Sequence, residues 1–227
     1  DSSPSRGLGD VYKRQALSRK IANTDIVNSK SEYPSAIKFM SSDKIRNMGK
    51  LYIENTMTQR VLCKEFFIDK MPNNFVHIGL IKLILPNAKI IDIRRNPMDC
   101  CFSCYKQLFG TGQGFTYSLR RIGNYYLDYL DIMDHWNKVL PGEIHSIKYE
   151  DLIENTEYEI RELLSFCNLD FEKSCLDFYK NKRSVRTPSS EQVRQPIYKS
   201  SYLHWKNFEQ YLIELKNMFV SNGVRID

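Results

Sequence analysis

The chain has 227 residues, enough for one large domain with a sizeable core or for two small ones, and 42% hydrophobic with 26% charged residues is an ordinary globular balance. No run approaches the ~18 consecutive apolar residues of a spanning helix, and no block of five or more basic residues marks a nucleic-acid tail. The net charge of +6 suits an anionic small ligand as well as it suits nucleic acid, so charge alone does not choose between them.

In chain order, the stretch from Asp1 to Gln15 carries neither a helical nor a strand period and lacks the apolar core of a signal peptide. Residues 1–15 are set aside as a non-native leader, an assembly artefact, and the domain is counted over 16–227. Residues 16–59 are mixed and polar, with a helix expected over 41–59. The β-rich run RVLCKEFFID (60–69) predicts a strand ending at Lys70-Met71-Pro72. Apolar residues at helical spacing (Phe75, Ile78, Leu80, Ile81, Ile84, Leu85) predict a helix over 74–85, stopped by Pro86-Asn87. A second strand, AKIIDI (88–93), runs into Arg94-Arg95.

Asn96-Pro97-Met98-Asp99 is a helix start: Asn at the cap, Pro at the first helical position and an acid three after the cap. That helix is expected to reach about residue 109. The loop GTGQG (110–114) resembles a nucleotide fingerprint, but it follows a helix and not a strand, so it reads as a plain loop. Ile122, Tyr126, Tyr129, Met133, Trp136 and Leu140 step by fours and threes along a long amphipathic helix over 118–140. EIHSIKY (143–149) is the third strand; 150–167 and 171–180 read as helical, and a last helix covers 200–220.

Strand and helix alternate, which predicts an α/β fold with a parallel sheet flanked by helices. Ligands in such folds sit at the carboxyl ends of the strands. Two of the three ends, Lys70 and Arg94-Arg95, carry cations. Arg95 leaves a strand facing a helix N-terminus, where free N–H groups and the dipole favour a phosphate, and Ser103 lies about two turns in. An arginine fork with a hydroxyl suits a phosphate dianion. Equally, Arg95 pairs with Asp99 and Ser103 is packing; spacing leaves both readings open.

The six cysteines lack the regular spacing of a secreted disulfide framework, so reduced thiols and a cytoplasmic compartment are expected. Cys101 and Cys104 form C-x-x-C with no second half, so no metal is expected. Three cysteines on one short helix read as small apolar packing residues.

The runs DKMPNNF (with Lys70), IIDIRRNPMDCCFSCY, IKYEDL and SSEQVRQPIY followed by Trp205 resemble, in order and separation, the motifs of sulfotransferases that use 3′-phosphoadenosine 5′-phosphosulfate. The resemblance covers about 60–210 and is strongest to bacterial sulfotransferases, often fused to tetratricopeptide repeats, and then to tyrosylprotein sulfotransferases. It implies a P-loop-NTPase-like sulfotransferase fold and an enzyme moving a sulfuryl group to an acceptor hydroxyl or amine, without a metal. It implies that Arg95 and Ser103 grip the donor's 3′-phosphate and that Tyr149 contacts the nucleotide. A loop closing over the donor would comprise Ser189, Gln192, Val193, Arg194, Gln195, Pro196, Ile197 and Tyr198, with Ser189 aiding the transition state. His204 stands where the family usually has Lys or Arg in contact with phosphate. The resemblance implies that Lys70 is the catalytic cation at the leaving phosphate oxygen, an expectation that competes with a plain surface pairing to Asp69.

The family's Gly-rich G-M-P-R-S-G-T-T type of loop, which wraps the 5′-phosphosulfate, has no counterpart in these residues, and neither do the first strand before it nor the acidic general base after it. The fragment is therefore expected to be inactive, its sheet to lack the central first strand, and its parent to allow for tetratricopeptide repeats upstream. The acceptor is unspecified; neither nucleic acid nor membrane is an expected partner. The rival is a catalytically silent module binding nucleotide or polyanion. A P-loop kinase is disfavoured, since no G-K-[ST] loop or metal-holding acid is evident.

Overall fold

The computed structural model describes residues 33–57, 65–109, 113–180, 194–196 and 203–226. They fall in two compact units, divided between Ala88 and Lys89.

In the first unit, helix α1 (Ser42–Met57) packs on α2 (Ile78–Ile84). The approach is so close at Gly49 that a Cβ there would lie 2.0 Å from the Ile84 carbonyl oxygen. The helix expected over 74–85 arrives in two pieces, a 3-10 turn at Pro72–His77 and then α2. Asn73 and Asn74 favour turn geometry over a helix interior, and Pro72 opens the turn with its fixed φ. Tyr33 Oη lies 2.6 Å from His77 Nδ1. Burial pushes the His77 pKa down and that of Tyr33 up.

The strand expected over 60–69 is not formed in its described part. Residues 65–69 have no ladder partner among the described residues, and Phe66 and Ile68 stand 61% and 91% exposed. An extended segment becomes a strand only when a neighbour takes up its backbone hydrogen bonds. The sheet accordingly has two described strands and not three.

Those strands belong to the second unit. β1 (Ile90–Arg94) and β2 (Ile144–Lys148) pair in parallel, from Ile90 opposite Ile144 to Arg94 opposite Lys148. The crossover carries α3 (Pro97–Lys106) and α4 (Leu119–Val139). α3 stops three residues short of expectation, at Gln107, whose extended backbone ends it. Asn96 caps α3, and Ser118 caps α4 by accepting from Arg121 N.

Alternation along β1 sends Asp92 and Arg94 to one face and Ile91 and Ile93 to the other. On the polar side, Tyr129 of α4 donates to Asp92 Oδ1 at 2.7 Å, and Asp92 Oδ2 pairs with Arg94 Nε at 2.7 Å. On the apolar side, His145 of β2 stacks on Phe166 at 5.2 Å, and Ile147 is buried. Ile93, by contrast, is 61% exposed.

Beyond β2 the helix expected over 150–167 breaks at Asn155 into α5 (Tyr149–Glu154) and α6 (Thr156–Phe166). Asn155 leaves helical φ/ψ, and the Thr156 hydroxyl bonds back to the Leu152 carbonyl at 2.8 Å. Residues 171–180 form only 3-10 turns, at Lys173–Cys175 and Phe178–Lys180. There Ser174 bonds Glu172, and Asp177 bonds Tyr179 and Lys180, local contacts that favour turns. The last expected helix is likewise divided, into a 3-10 segment at His204–Tyr211 with a kink at Phe208 and α7 (Ile213–Ser221). The core joins α3, α4, the 204–211 segment and α7 through Met98, Ile122, Trp205, Leu215 and Phe219.

Candidate functional site

With Arg94 opposite Lys148, the parallel register makes Arg95 and Tyr149 the first residues beyond the paired strand ends. The Arg95 guanidinium lies 5.6 Å from the centroid of the Tyr149 ring, a cation–π contact of about 0.5–2 kcal/mol. One step further, the Asn96 N–H donates to Glu150 Oε1 at 2.8 Å. From the helical side, the Tyr126 hydroxyl donates to the Arg95 carbonyl at 3.3 Å. The backbone around Arg95 is therefore held from both strand and helix.

α3 begins at this carboxyl edge, and its first N–H groups are taken. Asn96 Oδ1 accepts from Met98 N at 3.0 Å and Asp99 N at 3.3 Å, Pro97 has no N–H, and Cys100 N bonds the Asn96 carbonyl at 2.9 Å. This corrects the expectation of free N–H groups facing a phosphate here. What α3 offers an anion at this end is its dipole together with the Arg95 side chain.

Asp99 is 2% exposed. Its Oδ2 accepts from Leu203 N at 2.7 Å and its Oδ1 from Trp205 N at 2.9 Å. Arg95 Nη2 stands 4.0 Å from Asp99 Oδ2, too long for a hydrogen bond but close enough for an electrostatic pair. The alternative pairing read from the sequence is thus present, and it coexists with the Arg95–Tyr149 contact.

Ser103, four residues after Asp99 and on the same strip of α3, is exposed, and its hydroxyl makes no hydrogen bond to another described residue. His204 stacks over Phe102, the residue before Ser103, at 6.0 Å between centroids and 19° between planes. Lys106 Nζ lies 4.5 Å from the centroid of the same Phe102 ring.

Arg95, Tyr149, Ser103 and His204 all belong to the second unit. Lys70 is in the first unit, exposed, and joined by no ion pair to another described residue. Its neighbour Asp69 accepts from the Tyr52 hydroxyl of α1. Arg194, Gln195 and Pro196 are exposed; Ser189, Gln192, Val193, Ile197 and Tyr198 lie outside the described residues.

Three thiols share α3. Burial pushes Cys101 up, and a hydrogen bond with Cys104 followed by burial pushes Cys100 up. Cys104 is drawn down to about 7, first by that hydrogen bond and then by the charge of Arg95, against the opposing effect of burial. Among the described residues no cluster of three or more metal-ligating side chains occurs, and no helix is long and apolar enough to cross a membrane.

Sequence reasoning undervalued Asp99, Glu150 and Trp205. The available signal for Asp99 was its place three residues after a capping Asn, where a side chain can turn back from the first helical turn.

A sequence model described as "Sulfotransferase family" matches residues 8–173. The chain belongs to the sulfotransferase family. An uncharacterized protein of Aquifex aeolicus (strain VF5) is 40% identical over 186 residues, which is 80% of this chain and 24% of that protein. The chain thus spans about a quarter of the length of this relative. The solved sulfotransferase domain from the curacin biosynthetic pathway superposes with a TM-score of 0.54 at 18% identity, over 94% of this chain and 79% of that one. The likeness establishes a sulfotransferase α/β fold, in which the end of β1 and the start of α3 frame the candidate site.

Proposed function

We propose that this chain carries the nucleotide-gripping part of a sulfotransferase that draws on 3′-phosphoadenosine 5′-phosphosulfate. The observation that carries the reading is the seat of Arg95. A guanidinium stands at the carboxyl edge of a parallel sheet, braced on Tyr149, at the head of the helix that bears Ser103. Charge-assisted bonds from Arg95 to a ribose 3′-phosphate contribute about 1.5–3 kcal/mol each. Ser103 adds a hydroxyl and His204 a further ring donor. The motif resemblance assigns Ser189, Gln192, Val193, Arg194, Gln195, Pro196, Ile197 and Tyr198 to a loop over the donor.

In the transfer, an acceptor oxygen or nitrogen attacks sulfur as the bond from sulfur to the bridging phosphate oxygen breaks. The acceptor's proton passes to a general base or to solvent, and adenosine 3′,5′-bisphosphate departs with the extra negative charge. The motif resemblance assigns Lys70 to meet that charge, an interaction stronger in the transition state than in the ground state. In a transfer-competent form of the enzyme Lys70→Ala is expected to cost about 3–4 kcal/mol of barrier. Because these residues contain no Gly-rich phosphosulfate loop, the 227-residue chain binds the bisphosphate without catalysing transfer.

Isothermal titration with adenosine 3′,5′-bisphosphate tests the reading. Micromolar binding lost in Arg95→Ala and weakened in Ser103→Ala supports it. Binding only to long polyanions, with a steep salt slope, replaces it with a polyanion-binding module.

A further inference from the structure

Asp99 stands out because its bonds reach 104 and 106 residues along the chain, to Leu203 and Trp205. The two amides flank a single residue, His204. Anchoring the backbone on both sides fixes the direction in which the His204 side chain leaves it, and the ring comes to rest on Phe102. Leu203 holds this path in a left-handed conformation, φ 54°, which a leucine adopts only when its surroundings impose it. Trp205 anchors the far side, 3% exposed in the core.

We propose that Asp99 is a positioning residue: its buried carboxylate docks the 203–205 backbone onto α3 and so delivers His204 to the anion site beside Arg95 and Ser103. The inference rests on the nucleotide reading given above. Its geometry follows from helix periodicity. Asp99 and Ser103 share one strip of α3, and Phe102 and Lys106 share the adjacent one. The His204 ring lies over Phe102, the residue that precedes Ser103 along the helix. Arg95, 4.0 Å from the same carboxylate, is kept at the near end. The carboxylate accepts one amide on each oxygen, and its Oδ2 stands 4.0 Å from Arg95 Nη2, within reach of charge but beyond a hydrogen bond.

The test is calorimetric titration of the full 227-residue chain with adenosine 3′,5′-bisphosphate, in parallel with hydrogen exchange. Asp99→Asn and His204→Ala are each expected to weaken binding about fivefold or more. The double variant is expected to bind no more weakly than the weaker single one, because both remove the same contact. His204→Arg should retain or tighten binding. In Asp99→Asn the amides of Leu203 and Trp205 lose exchange protection while the circular dichroism is kept. Wild-type affinity in Asp99→Asn, or additive losses in the double variant, would overturn the inference and leave the nucleotide reading standing. No binding by the wild type removes both. Should Asp99→Asn fail to fold, the wild type decides: added nucleotide must raise protection at Leu203 and Trp205, and unchanged exchange overturns the proposal.

Discussion

The side-chain amide of Asn96 donates to the carbonyl of Ile226 at 2.9 Å, tying the head of α3 to the far end of the chain. The same side chain caps Met98 and Asp99 through its oxygen, so a single residue, 6% exposed, serves three backbone groups. Asn96→Ala removes the cap, at about 1 kcal/mol, and leaves the Ile226 carbonyl unsatisfied, at about 1–3 kcal/mol. The expected fall in melting temperature is roughly 4–16 °C for a chain of this size. Asn96→Ser restores a capping oxygen but not the donor, and should recover about half of the loss. Equal melting temperatures for wild type and Asn96→Ala would show that the cap carries no net stability.

Arg95 separates binding from stability. Without its side chain, Asp99 still accepts from Leu203 and Trp205, so no buried charge is stripped of its hydrogen bonds. Arg95→Lys keeps the charge but loses the planar fork and its seat over Tyr149. It is expected to weaken binding of adenosine 3′,5′-bisphosphate about tenfold or more, while stability changes by about 1 kcal/mol or less. Calorimetry and thermal melts on the same preparation check both halves. A large stability loss with unchanged affinity would make Arg95 a structural residue.

Local chemistry made much of this legible in advance. The Asn96-Pro97 start, the period from Ile122 to Met133 and the alternation of IIDIR each correspond to an observed element, because cap, stripe and pleat are decided within a few residues. The segment 65–69 defeated the same reasoning. Its residues suit a strand, but strands are made by neighbours, and the described residues supply none. Residues 171–180 failed for a different reason: Ser174 and Asp177 bond locally and outcompete the helix. The motif resemblance picks out Arg95, Ser103 and Tyr149, and the strand register sets Arg95 and Tyr149 side by side. Asp99 could not be ranked so, since its partners at Leu203 and Trp205 lie more than a hundred residues away.

Two glycines on helices test the packing in opposite ways. Each lies in a helix interior, where Ala is intrinsically better by about 1 kcal/mol. At Gly49 a Cβ would meet the backbone carbonyl of Ile84 at 2.0 Å, and α1 and α2 must separate to admit it. Gly49→Ala is therefore expected to destabilise the first unit by about 1–3 kcal/mol despite the propensity gain. At Gly123 the obstacles are Met218 Sδ at 2.6 Å and Leu215 Cδ1 at 2.9 Å. Met218 has rotatable bonds to spare, whereas Leu215 is fully buried, so Gly123→Ala should cost less than Gly49→Ala. Urea unfolding of both variants ranks them, and the reverse order would mean that α1 and α2 do not meet at Gly49.

The thiols of α3 predict a pH-dependent labelling pattern. Iodoacetamide attacks thiolates, so the rate at each cysteine follows its ionised fraction. Cys104, drawn down to about 7, is half ionised near neutrality: its labelling should be slow at pH 6 and rise through a midpoint close to 7. Cys100, held up by the hydrogen bond with Cys104 and by burial, reacts only at higher pH. Cys101 is 1% exposed and also pushed up by burial, so it stays unlabelled while the protein is folded. Arg95→Ala withdraws a positive charge from Cys104 and should move its midpoint upward, slowing labelling at pH 7. Peptide mapping after timed alkylation gives the three rates separately. Labelling of Cys101 as fast as Cys104 in the folded chain would contradict the burial of that face of α3, and with it the orientation that leaves Ser103 exposed at the site.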